Sequence, residues 1–312
     1  VARAENPFDA VDKIEVFQPD VITCDVEMPK MDGVEFIRQL LPQHPVPIIV
    51  VSSVGGAVFD AMRAGAVGFL TKPDLSAGYG MDGFFQALIQ KVKTVSGVNI
   101  VRTRQGMKQL EESGATAPPT EAFSSHTQLV AIGASTGGTE SIYQLLKMLS
   151  PQMPGIVIVQ HIPPKFSKLF AQRLDAQTRF KVVEGKNGEM VEPGKVIIAP
   201  GDHHMIVKRL GDRFKVEVYQ GEKVNGHCPS VDVLFDSVAK CCGDRALGII
   251  LTGMGYDGAK GLLGMRRRGA ITIGQDEASS VVYGMPKAAY EVGAVERQLP
   301  LAQMAPVMRR LV

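Results

Sequence analysis

Short apolar runs of strand length alternate with amphipathic stretches of helix length along most of this 312-residue chain, in two blocks separated by a polar, proline-containing interval. Parallel strands need a crossover to return to the same edge, so this alternation predicts α/β architecture: parallel sheets wrapped by helices. In the first block the apolar runs are Val21–Cys24, Ile48–Val51 and Gly68–Thr71. Helices are expected over Gly33–Leu41, over Ala57–Ala64 with Gly65 placed to stop it, and over Met81–Val95, where Phe84, Phe85, Leu88, Ile89 and Val92 recur at helical spacing.

The rhythm fades between residues 96 and 126, where Glu111-Glu112-Ser113-Gly114 runs into Pro118-Pro119-Thr120, a composition that reads as a linker. From residue 127 it resumes. Strands are expected at Leu129–Ile132, Gly155–Val159, Val196–Ala199, Leu247–Leu251 and Ile271–Gly274. Helices are expected at Gly138–Leu149, Lys165–Arg173, Val231–Cys241 and Gly258–Arg267, and Met205–Lys208 with Phe214–Val218 reads as a hairpin. The expectation is two doubly wound parallel-sheet domains, 1–95 and 127–312, joined by a linker at 96–126. The length suits two cores better than one.

Composition removes several function classes. Hydrophobic residues at 45%, charged residues at 21% and a formal net charge of +2 belong to a globular chain, and Arg266-Arg267-Arg268 reads as a solvated helix face, so no nucleic-acid partner is expected. Cys24, Cys228, Cys241 and Cys242 form no C-x-x-C pair and read as reduced thiols of a cytoplasmic protein. No apolar run approaches the ~20 residues of a membrane span, so the protein is not expected to be membrane-embedded. No signal peptide is visible; the chain opens on Val1, and its true start is expected to lie upstream.

Chemistry concentrates after three predicted strands of the second block. Gly133-Ala134-Ser135-Thr136-Gly137-Gly138 sits between a strand and a helix, the setting of a G-x-S-x-G nucleophile. Thr136 and Gly137, at the helix start, are candidate oxyanion donors, with Met254 as a third. A glycine-rich phosphate cradle or a plain tight turn is the alternative, although no P-loop Lys follows and G-x-G-x-x-G is not met. His161 follows Ile156–Val159, and Asp257 follows Leu247–Leu251, so Ser, His and Asp reach one sheet edge. Taken singly, His161 reads as a structural histidine and Asp257 as a helix N-cap. Together they fit a triad with His161 as base and Asp257 as its orienting partner, in an order foreign to α/β-hydrolases. His203, His204 and His227 read as structural or surface residues, and no metal site is expected in this domain.

The sequence resembles the chemotaxis response-regulator protein-glutamate methylesterases, which are also glutamine deamidases. The motifs are Ile132–Gly138, Gln160-His161, Pro200–His204, Pro229–Phe235, Leu251–Gly258 and Gly284-Met285-Pro286. The resemblance implies a Rossmann-like methylesterase domain, with Ser135, His161 and Asp257 as its triad, that hydrolyses glutamate γ-methyl esters and deamidates glutamines on chemoreceptors without a cofactor. A non-catalytic signalling module and a general hydrolase of small esters are the competing readings.

In the first block Asp25, Ser52 and Lys72 end or follow adjacent strands, a set suited to phosphoryl transfer: acceptor, switch hydroxyl and charge partner. Asp25–Gly33 and Thr71-Lys72-Pro73 resemble the receiver domain of two-component response regulators. That implies a flavodoxin-like fold, phosphorylation of Asp25 by a chemotaxis histidine kinase, and Mg²⁺ for that step. A receiver opens on a strand that ends in paired acidic residues, whereas residues 5–16 read as the end of its first helix. The domain is therefore expected to lack its first strand, with Asp25 and the Glu27 backbone as what remains of the Mg²⁺ site.

Overall fold

A computed structural model of the chain describes residues 1–28, 30–53, 55–73, 80–98, 100 and 126–312. Most of the expected linker, residues 101–125, lies outside them. The chain divides into two compact units, 1–104 and 105–312.

In the first unit, α1 (Pro7–Phe17) starts at Asn6, whose side chain accepts from the amides of Phe8 and Asp9, with Pro7 in the first turn. Strands β1 (Ile22–Asp25), β2 (Ile48–Ser52) and β3 (Gly68–Thr71) follow, separated by α2 (Gly33–Leu40) and α3 (Gly55–Ala64); α4 (Gly80–Val95) comes last. The three strands pair in parallel in the order β1-β2-β3, with Asp25 opposite Val51 and Ser52 opposite Thr71. That register brings Asp25, Ser52 and Lys72 to one end of the sheet. Ile48, Ile49 and Val50 are fully buried, as a central strand covered on both faces requires.

The second unit is built on seven parallel strands. They are β4 (Leu129–Ala134), β5 (Gly155–Gln160), β6 (Lys181–Glu184), β8 (Lys195–Ile198), β11 (Ala246–Ile250), β12 (Ile271–Gln275) and β13 (Arg297–Leu299), ordered β13-β12-β11-β4-β5-β8-β6. From β4 the chain winds outward through β5, then returns to the other side of β4 as β11. The carboxyl ends next to β4 are therefore the switch point of the sheet, where such folds open a crevice. Helices α5 (Gly138–Met148), α6 (Pro164–Gln177), α7 (Val231–Cys242), α8 (Ala259–Arg267), α9 (Met285–Glu291) and α10 (Leu301–Leu311) cover it. Phe166, Phe170 and Phe235 are fully buried among them.

The expected hairpin is present as β9 (His204–Leu210) and β10 (Arg213–Tyr219), joined by the short β7 (Met190–Val191) in an antiparallel sheet. Strands β6, β7 and β13 and helices α9 and α10 were not foreseen. Two of these strands have only two or three residues, and both helices carry a proline, Pro286 and Pro306, which obscures the helical period.

Candidate active site

Three neighbouring strand ends build the site. In the β4–β5 ladder Ala134 lies opposite Gln160, so Ser135 and His161 leave the sheet side by side, and the His161 amide donates to the Ala134 carbonyl at 3.0 Å. On the other flank Ile250 pairs with Gly133, and the Ser135 amide donates to the Thr252 carbonyl at 3.0 Å. The Gln160 side chain donates to the carbonyls of Ser135 (2.9 Å) and His161 (3.1 Å), fixing both loops to one buried amide. Thr252 Oγ1 donates to the Thr136 carbonyl at 2.9 Å. Gly253 passes so close that a Cβ there would sit 2.7 Å from Ser135 Cβ and 2.4 Å from Met285 Sδ. Only a residue without a side chain fits.

Asp257 is 1% exposed and accepts five hydrogen bonds. Oδ2 takes His161 Nε2 at 2.9 Å and the Val231 amide at 2.7 Å; Oδ1 takes Ser230 Oγ (2.7 Å), Asn225 Nδ2 (2.9 Å) and the Asp232 amide (3.2 Å). Two of these donors are the first amides of α7, where a carboxylate is favoured. Burial pushes the Asp257 carboxyl up, but the hydrogen bonds from His161, Asn225 and Ser230, with the His161 charge, outweigh it and hold the group well below the usual carboxylate range. The single-residue expectation of an N-cap needs correction: Gly258 caps the following helix, α8, while Asp257 sits at the start of α7.

With Nε2 committed to Asp257, His161 Nδ1 is buried and has no hydrogen-bond partner among the described residues, so no Ser135–His161 hydrogen bond is formed in this structure. Such bonds commonly tighten only in the substrate complex. Beside Ser135, the Thr136 and Gly137 amides donate to no group among the described residues, and Gly137 caps α5 at φ +80°. Both lie immediately before the first residue of α5. Met254 lies on the loop after β11 and is exposed.

His227, expected to be structural or a surface loop residue, lies in a turn and is packed on the site. Its ring stacks on that of His161, centroids 3.6 Å apart and planes 13° from parallel. A tight turn delivers it: Val224 and His227 exchange backbone hydrogen bonds around Asn225-Gly226, both at positive φ (54° and 82°), as in a type I′ turn. The Asn-Gly dipeptide was the available signal. The same turn aims Asn225 Nδ2 at Asp257 and at Asp232, 2.7 Å away. His203 and His204 diverge: His203 Nδ1 meets the Gly201 carbonyl, whereas buried His204 joins the Glu222 carbonyl through Nε2 and accepts the Ser230 amide at Nδ1.

In the first unit Lys72 Nζ meets Asp25 Oδ2 at 2.5 Å and lies 4.0 Å from Glu27 Oε2. The Glu27 amide donates to Asp25 Oδ1 at 3.0 Å, and Ser52 is buried, its carbonyl accepting the Lys72 amide. No group of three His, Cys, Asp or Glu side chains able to hold a metal ion occurs among the described residues. The Asp25 and Glu27 carboxylates both face the Lys72 ammonium.

Comparison with known proteins bears on both units. The CheB methylesterase family matches over residues 130–308 and the response regulator receiver domain over residues 1–77. A protein-glutamate methylesterase/protein-glutamine glutaminase of Syntrophomonas wolfei is 49% identical over 312 residues, covering 100% of this chain and 89% of that one. A protein of the same description from Pseudomonas aeruginosa is 44% identical over 309 residues, 98% of this chain and 87% of the relative. The crystal structure of the Thermotoga maritima CheB methylesterase catalytic domain is 37% identical, with a TM-score of 0.58, and covers 60% of this chain and 99% of that domain. No helix among the described residues is long and apolar enough to cross a membrane.

Proposed function

The chain belongs to the CheB methylesterase family, and on that premise we propose that its second unit hydrolyses glutamate γ-methyl esters on chemoreceptors and deamidates receptor glutamines, with Ser135, His161 and Asp257 as the reacting set. Ser135 Oγ attacks the γ-carbonyl carbon while His161 takes the hydroxyl proton at Nδ1, the ring nitrogen left open by Asp257. The oxyanion is received by the Thr136 and Gly137 amides at the start of α5. His161 then returns the proton to the leaving group, giving methanol or ammonia and an acyl ester on Ser135. A water, deprotonated by His161, cleaves that ester to glutamate. Asp257 stays ionised throughout and stabilises the imidazolium. None of these steps requires a cofactor.

The observation that carries this reading is the buried His161–Asp257 pair at the sheet edge where Ser135 emerges. In the first unit Asp25 is the phosphoryl acceptor for a chemotaxis histidine kinase, Lys72 the charge partner of the phosphoryl oxygens and Ser52 the hydroxyl that follows them. Phosphorylation there regulates the esterase, and the protein works in the cytoplasm, where receptor tails and kinase meet. The test is methanol and ammonia release from methylated and glutamine-bearing receptor. Ser135→Ala is expected to abolish both, and retained release by a folded Ser135→Ala protein rejects the assignment.

A further inference from the structure

The turn at residues 224–227 brings in a side chain that the reacting set does not account for. We propose that His227 is a positioning residue of this site: its ring, stacked at 3.6 Å and 13°, holds the His161 imidazole edge-on to Asp257 as a neutral aromatic cover. The inference rests on reading Ser135, His161 and Asp257 as the reacting set.

Three observations support it. First, His161 has one hydrogen-bonded nitrogen and one without a partner, so no second hydrogen bond fixes the plane of the ring about its Cβ–Cγ bond. A flat surface against its face removes that freedom, and the Val224–His227 turn supplies one. Second, the turn is itself tied to the charge it serves. Asn225 donates to Asp257 and Asp232, His204 holds the Glu222 carbonyl and the Ser230 amide, and Ser230 donates to Asp257. The His227 turn and Asp257 therefore belong to one hydrogen-bonded assembly. Third, the charged groups that act most on His227 are His161, Asp257 and Lys223. Burial, with the His161 charge beneath it and Lys223 beside it, pushes its basicity down to about 4 against the opposing pull of Asp257, so it is neutral near neutral pH. A protonated cover would instead repel the imidazolium that proton transfer from Ser135 creates.

The full chain carrying His227→Ala, His227→Phe or His227→Lys tests this, with Ser135→Ala alongside and methylated receptor as substrate. His227→Ala is expected to lower kcat on the order of tenfold or more with KM within about twofold, since misplacing a reacting group costs rate more than binding. His227→Phe, a neutral ring of similar area, restores most of kcat. His227→Lys lowers kcat further and moves the acid limb of the kcat–pH profile to lower pH, because a fixed cation makes His161 a weaker base. Unchanged kcat in the Ala variant, or equal loss in Phe and Lys, overturns the proposal while a dead Ser135→Ala protein leaves the reacting set intact. Activity remaining in Ser135→Ala overturns the set itself. If the Ala variant does not fold, the Phe and Lys pair decides alone: a kcat retained in Phe and lost in Lys supports the stack, and equal values contradict it.

Discussion

Both units place a carboxylate beside a basic side chain at the carboxyl edge of a parallel sheet, yet the two pairs are built in opposite ways. Asp257 is nearly sealed from solvent and accepts five hydrogen bonds, two from the start of a helix. Asp25 and Lys72 are each 36% exposed, and Asp25 otherwise accepts one backbone amide. A carboxylate that must orient an imidazole through a reaction gains from a rigid surround that never changes. One that must accept a phosphoryl group has to be reached, and its partner has to follow the new charge. On the proposed roles, burial and bond count separate a positioning acid from an acceptor acid on the same kind of sheet.

Removing each carboxylate gives the largest contrast. Asp257→Ala leaves four backbone and side-chain donors of the α7 start and the turn, together with His161, facing an empty buried space. It is expected to destabilise the second unit by about 3–5 kcal/mol and to cut kcat by on the order of 10⁴. Asp25→Ala is expected to change stability by less than about 1 kcal/mol, because an exposed pair contributes little. Urea unfolding of both variants checks this, and equal losses erase the distinction.

Glycines sharpen the same comparison. Gly253→Ala drives a methyl group into Ser135 and Met285, and kcat is expected to fall on the order of 10²-fold from a shift of about 1 Å in the nucleophile. Gly83→Ala, inside α4 with nothing within 4 Å of the new methyl, is expected to stabilise the first unit by about 0.5–1 kcal/mol. Steady-state kinetics and thermal unfolding read the two effects.

A smaller effect is written in the pH dependence. The basicity of His227 in the folded protein, about 4, is below its ordinary 6.5. As pH falls through that interval the unfolded chain takes up a proton the folded chain does not, so stability is full above pH 6.5 and declines towards pH 4. After allowance for partial solvent exposure the loss is about 1–2 kcal/mol. His227→Phe should flatten that slope, and the depressed Asp257 carboxyl should add a further loss only below the usual carboxylate range.

Much of this was legible in the sequence because it is local. Apolar runs followed by Ser135, His161 and Asp257 announced three strand ends at one edge, and period alone located β1 to β5 and the hairpin. Parallel pairing then joined His161 to Asp257 across 96 residues. What stayed hidden is what long-range packing decides. His227, Asn225 and Ser230 acquire their roles only when the turn at Asn225-Gly226 folds over the β5 end, and nothing in the spacing of those residues encodes His161 as their neighbour. Asp257 reads locally as the cap of its own helix, and tertiary structure gives it to another. Strand β6 is a four-residue edge whose Lys181-Val182-Val183-Glu184 pattern is too short for a period to emerge.

Covalent labelling by a serine-directed fluorophosphonate, located by mass spectrometry, tests the central claim most directly. The intact chain should gain one adduct, on Ser135, and its rate of formation should collapse in His161→Gln and fall strongly in Asp257→Asn while both variants remain folded. An adduct elsewhere, or labelling of Ser135 at an undiminished rate without His161, would contradict the assignment of Ser135 as a nucleophile activated by the buried His161–Asp257 pair.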